Sequence, residues 1–165
     1  MKLTDVNLSI IQKVFWLSMH EGWCSDTKVA KQESLLLPGY KLISFRVDKF
    51  SVLDAYCTTP LNDMSEGKIV IWFEQVPVWT MNYGGQYPKE VIPLVKLAIQ
   101  QSLAFQQFSG GRGPQQFLHH DFIDYEYTNE LKPGYGEFGN FKGYERVLQG
   151  DVVVGFHNYQ GTALI

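Results

Sequence analysis

Apolar positions repeat with two different periods along this chain, and the change of period divides it into segments. From Thr4 to Glu21 the positions Leu8, Ile11, Val14, Phe15 and Ser18 keep helical spacing, and Ile10 and Leu17 widen the stripe. This predicts a helix lying on a core, capped by Thr4 or Asp5 and stopped by Gly22. Gly22 to Gly39 is polar and irregular up to Leu35-Leu36-Leu37 and reads as a surface loop or a lid. After Pro38-Gly39 the period becomes two. Lys41 to Val47 and Phe50 to Cys57 read as strands joined at Asp48-Lys49, followed by a loop from Thr58 to Gly67. Lys68 to Glu74 and Val76 to Tyr83 form the next pair, ended by Gly84-Gly85.

Helical spacing returns from Pro88 to Gln107 through Val91, Leu94, Val95, Ala98, Ile99 and Ser102. Pro93 fits only in the first turn, where its missing N–H costs nothing. Ser109 to Pro114 is a break, and strands are expected at Phe117 to Glu130, within Tyr135 to Leu148, and from Asp151 to Tyr159 after a turn at Gln149-Gly150. Short connections impose antiparallel pairing, since a parallel crossover needs a dozen residues or more. The expectation is a single α+β domain over residues 1–165. It consists of a mostly antiparallel curved sheet of about six to seven strands with two main helices on one face. A β-α-β crossover has room only around the second helix.

Composition narrows the function classes. Apolar residues make up 45% of the chain and charged residues 19%, which is globular usage. Aromatics reach 15%, enough to furnish either a sheet core or an aromatic-lined pocket or interface. The formal charge is −3 and cations are scattered singly, so direct nucleic-acid binding is not expected. No signal peptide or membrane-spanning run is visible. Cys24 and Cys57 lack C-x-x-C spacing and read as reduced, cytosolic thiols.

Three places carry candidate chemistry. In Pro77 to Gly85, alternation puts Trp79, Met81 and Tyr83 on one face and Thr80 and Asn82 on the other. That aromatic face is either core or the floor of a cavity, and Gly85 lets backbone come close. Arg112, set among glycines, offers a five-donor fork to a carboxylate or phosphate, or pairs internally with Glu145 or Asp121. The Lys-Ser or Lys-Thr ending of a phosphate loop is missing, and so is the dinucleotide-binding glycine pattern. Glu145 and His157 fall near one another if their strands pair about Gln149-Gly150, which would suit structural or acid/base work. No nucleophile is obvious beside them: Ser109, Cys57 and Cys24 are distant in sequence. His119-His120, read as part of a strand, point to opposite faces, and Asp121 and Asp124 add no ligand set. No metal and no cofactor are expected.

The spaced set Tyr56, Trp79, Met81, Tyr83, Gly85, then Phe141, Gly143, Glu145, then His157, Tyr159 and Gly161 resembles a bacterial family, the domain-of-unknown-function family numbered 5680. Its members occur alone or behind a helix-turn-helix regulator. The resemblance runs from about Leu42 onward, and no helix-turn-helix is expected ahead of it. It implies an α+β fold and no particular activity. Three functions follow as expectations. The first is a small-molecule-binding or sensory module using Trp79, Met81, Tyr83, Arg112, Glu145, His157 and Tyr159. The second is an interaction module forming a homodimer. The third is an acid/base enzyme using Glu145 and His157.

Overall fold

A computed structural model describes residues 1–25 and 30–165. Residues 26–29, inside the expected loop or lid, lie outside the described residues. Helix α1 spans Leu8–Glu21. Its cap is Asn7, not Thr4 or Asp5, with Oδ1 accepting from the Ile10 N–H at 3.2 Å. Asp5 instead closes a short 3-10 turn by accepting from the Lys2 N–H at 2.8 Å. Helix α2 spans Ile92–Ala104, with Pro93 in its first turn as the sequence requires.

The strands are β1 (Gln32–Glu33), β2 (Tyr40–Val47), β3 (Phe50–Thr58), β4 (Met64–Phe73), β5 (Val76–Gln86), β6 (Gln116–Phe117), β7 (Tyr125–Glu137), β8 (Asn140–Gln149) and β9 (Val152–Ala163). They form one open sheet in the order β1-β2-β3-β4-β5-β9-β8-β7-β6, antiparallel throughout. Among the described residues the sheet therefore has nine strands rather than six to seven. The two extra strands are the two-residue edges β1 and β6, too short to show a period in the sequence. The expected strand from Phe117 to Glu130 is divided: β6 ends at Phe117, a 3-10 turn covers His120–Phe122, and β7 begins at Tyr125. No parallel β-α-β unit forms, because α2 carries the chain from β5 at the middle of the sheet to β6 at its far edge. No described helix is long and apolar enough to cross a membrane.

Both helices cover one face of the sheet. α1 packs on β2 and β3, α2 packs on β7, and the helices touch each other. Ile11, Phe15, Leu94, Val95, Ala98 and Ile99 are fully or almost fully buried against Ile71, Trp79, Met81, Tyr127, Phe141 and Val147 of the sheet. This burial is the main stabilising term, at about 25 cal/mol per Å² of apolar surface. The other face is polar and open to water, with Asn82, Lys142, Asn158 and Gln160 exposed along the central strands.

Two strands are longer than the sequence indicates, and the difference decides the site. β4 begins at Met64, so the last four residues of the expected loop from Thr58 to Gly67 are strand. β5 runs on through Gly84-Gly85 to Gln86. Glycines usually weaken a strand, but here neighbouring side chains occupy the space they leave. The Tyr83 ring lies where a side chain on Gly67 would stand, and His157 lies against Gly85.

Candidate functional site

One row of residues crosses four strands in register. Ser65 of β4 pairs with Gly85 of β5, Gly85 with His157 of β9, and His157 with Glu145 of β8. All point toward the helices. Ser65 and His157 sit two strands apart, about 10 Å between backbones. They still meet, because Gly85 between them has no side chain: a Cβ there would stand 2.9 Å from His157 Cδ2. His157 Nε2 and Ser65 Oγ are 3.1 Å apart.

Glu145 is fully buried. Its Oε1 accepts from Arg112 Nε at 2.7 Å and from Arg112 Nη2, and its Oε2 accepts from the Tyr127 hydroxyl. The Tyr127 hydroxyl in turn accepts from the Gly113 N–H at 2.9 Å, which ties the glycine loop to the sheet. Burial pushes the Glu145 carboxyl up, but the Arg112 charge and hydrogen bonds outweigh it and hold the pKa below the ordinary value. Burial works against the Arg112 charge, and the Glu145 carboxylate more than offsets it. The guanidinium also sits 5.9 Å from the ring centres of both Trp23 and Tyr83. Asp121, the other partner considered for Arg112, is elsewhere, beside His119 and His120.

His157 Nδ1 lies 3.9 Å from Glu145 Oε1, beyond hydrogen-bond reach, and is buried with no partner among the described residues. Burial first and Arg112 second push the His157 pKa down to about 4, so the ring is neutral at pH 7. Tyr87 packs on that ring with centroids 4.4 Å apart. The Tyr87 hydroxyl is close enough to Arg112 and Glu145 to feel both, but has no hydrogen bond of good geometry. The Tyr83 hydroxyl donates to Asp54 Oδ1 at 2.6 Å. Burial raises the Asp54 pKa to about 6, against the pull of Tyr83 and Arg112.

These groups wall a cavity of about 500 Å³ between the sheet, the end of α1 and the start of α2. Tyr56, Tyr83, Tyr87, Ile69, Ile92, Val95, Met19 and Trp23 supply its apolar wall. Arg112, His157, Ser65, Asp54 and Asp63 supply polar groups, and Lys31, Lys41 and Lys89 add three cations. Of the residues singled out from sequence, Tyr83, Arg112 and His157 line the cavity, and Glu145 stands directly behind them. Trp79, Met81 and Tyr159 do not reach it. Trp79 stacks on Phe138 at 5.0 Å and packs against Phe15 at 5.1 Å. Met81 is 1% exposed, and the Tyr159 hydroxyl donates to buried Asn129 at 2.6 Å.

Residues 62–164 match the family described as Domain of unknown function (DUF5680). The chain belongs to that family. The DUF5680 match begins after Tyr56 and covers Ser65, Gly85, Arg112, Glu145 and His157, while Trp23, Lys31, Lys41 and Asp54 precede it. No curated protein matches the chain. No solved structure matches it either.

Sequence reasoning missed Ser65, Asp54 and Tyr87. Ser65 was readable in principle: Ser65, Gly67, Ile69 and Ile71 keep one phase, so the period of β4 extends back to it. Asp54 and Tyr87 carry no local signal. The two adjacent histidines correct another expectation. His119 is not in a strand but caps the 3-10 turn, and its ring stacks on His120 at 4.4 Å instead of facing away. With Asp121 they bring three ligand-type atoms within 4.8 Å of one another, at an exposed position.

Proposed function

We propose that this domain binds a small anionic molecule with an aromatic or apolar body in the cavity beside Arg112. One observation carries the reading. Arg112 lines the cavity with Nε and Nη2 fixed by Glu145, and three lysines line the same cavity. A guanidinium fixed in this way is pre-organised for a carboxylate or phosphate. The volume suits a small metabolite. Tyr56, Tyr83 and Ile92 offer faces for its apolar part, and the protonatable Asp54 and neutral His157 can orient polar groups. Cys24 and Cys57 are unpaired, which fits a reducing compartment such as the cytoplasm.

Two measurements test the reading. Native mass spectrometry of gently purified protein is expected to show extra mass that disappears on denaturation. Melting curves with benzoate and phenyl phosphate are expected to shift upward, with neutral benzamide inert and the shift lost in Lys41→Ala. Identical curves for anionic and neutral compounds, with no retained mass, would sink the proposal. Self-association is favoured by one observation, the 98% and 91% exposure of Leu35 and Leu36. The same spectrum counts subunits and decides it.

A further inference from the structure

We infer that the cavity also hydrolyses small carboxylic esters, with Ser65 as nucleophile, His157 as general base and Glu145 as the group that positions His157. This rests on the reading of the cavity as a small-molecule site and adds a reaction to it.

The argument starts from hydrogen-bond chemistry. A buried imidazole beside a carboxylate favours its proton on the nitrogen facing that carboxylate. In His157 that nitrogen is Nδ1, 3.9 Å from Glu145 Oε1. Nε2 is then the bare nitrogen, and at 3.1 Å it accepts from the Ser65 hydroxyl. Nucleophile, base and orienting acid thus follow one another along the register row, and Ser65 and His157 both line the cavity. The arrangement is the acyl-transfer constellation defined by roles and geometry, independent of fold. Two features say that it is built rather than incidental. Gly85 removes the one side chain that would separate base from nucleophile. Nδ1, alone among the His157 polar atoms, is buried without a partner and lacks only the closure of roughly one ångström to Glu145 that would give it one. Catalytic hydrogen bonds are often long before substrate binds.

The steps balance with water as the sole co-reactant. Ser65 Oγ attacks the ester carbonyl carbon while its proton passes to His157 Nε2. The tetrahedral adduct collapses, the carbon–oxygen bond to the alcohol breaks, and the alcohol leaves with the proton from His157. Water then attacks the acyl-Ser65 carbonyl and gives a proton to Nε2. Collapse releases the carboxylic acid, and Ser65 Oγ recovers the proton. Arg112 and the three lysines line the same cavity, and their charges favour the negative charge that develops on the carbonyl oxygen and remains on the acid product.

The test is labelling of the whole protein with an alkyl fluorophosphonate, followed by peptide mapping. Loss of fluoride and a phosphonyl mass on Ser65 are expected in the wild type. Ser65→Ala abolishes the label, and His157→Gln slows it by about 10²-fold or more. Hydrolysis of p-nitrophenyl butyrate is expected to stop when Ser65 is labelled. For Glu145 the readout is a proton spectrum of the labelled protein: a far-downfield imidazole proton, bonded to the carboxylate, is expected on His157 Nδ1. Labelling without that proton overturns the positioning role. Native wild-type protein that leaves Ser65 unmodified overturns the inference outright, with no variant needed. If the benzoate shift then persists, the binding site stands without the reaction. If that shift is also absent, both readings fall.

Discussion

The two ends of β5 carry the same alternation on the same face, yet one end is dry core and the other is a cavity wall. Trp79 and Met81 lie beneath Phe15 and Phe138 with essentially no exposure. Tyr83, four residues on from Trp79, lines the cavity with Arg112 and His157. The strand does not make this difference. What lies over it does: the middle of α1 seals one end, and α1 and α2 leave a gap above the other. Aromatic alternation therefore marks the helix-covered face, and the helices decide whether a given stretch of it is sealed core or cavity wall.

The largest effect that separates the two ends is expected from Trp79→Ala, a loss of about 3–5 kcal/mol in urea denaturation. The cavity's own anchor comes next. Glu145→Ala leaves Arg112 buried without a counter-charge and is expected to cost about 3 kcal/mol, with loss of the benzoate shift. If Trp79→Ala leaves the midpoint of unfolding unchanged, the sealed end is not the stabilising one.

Asp54→Asn sharpens the contrast by moving stability the other way. Asp54 binds its proton more tightly folded than unfolded, so its contribution falls as pH rises from about 4 through 6. His157, with its folded pKa lowered to about 4, binds its proton more tightly unfolded, so its contribution falls as pH drops from 6.5 to 4. The two slopes oppose each other across that window. Asp54→Asn is expected to gain about 1–2 kcal/mol at pH 8. It should then lose stability more steeply than wild type on acidification from pH 6.5 to 4, where His157 is no longer balanced. A variant that tracks wild type across this range would contradict the burial of Asp54. The smallest effect is at the rim: Lys41→Ala should change stability by less than about 0.5 kcal/mol while weakening anion binding. Cys24, its thiol pushed up to about 12 by burial, is expected to resist iodoacetamide in the native protein.

How far the sequence could lead is visible in these same residues. Helical spacing placed both helices and their buried faces, because Ile11, Phe15, Leu94 and Ala98 recur at a period that nothing else produces. The Gln149-Gly150 turn brought Glu145 and His157 near one another, but the register set at the turn shifts by one residue between Val147 and Leu148, and only that bulge sets the two directly opposite. The sequence offers Arg112 two internal partners, Glu145 and Asp121; which one it takes depends on how the glycine loop folds back, and local pattern does not carry that. Gly84-Gly85 reads as a strand end by propensity alone. It is strand here because the His157 ring fills the space at Gly85, a contact across 72 positions of sequence. The phase of β4 places Ser65 on the inner face, but its contact with His157 exists only once the sheet brings the two strands near.

The strand order has a consequence for how this molecule comes into being. β9 sits at the centre of the sheet, between β5 and β8, although it follows every other described strand. β1 to β5 and β6 to β8 are each joined by near neighbours, and such segments can assemble as they leave the ribosome. Until β9 arrives, β5 and β8 both present open edges, the condition that invites pairing with another chain. Any state in which β9 is unpaired therefore exposes two long edges that the finished sheet covers.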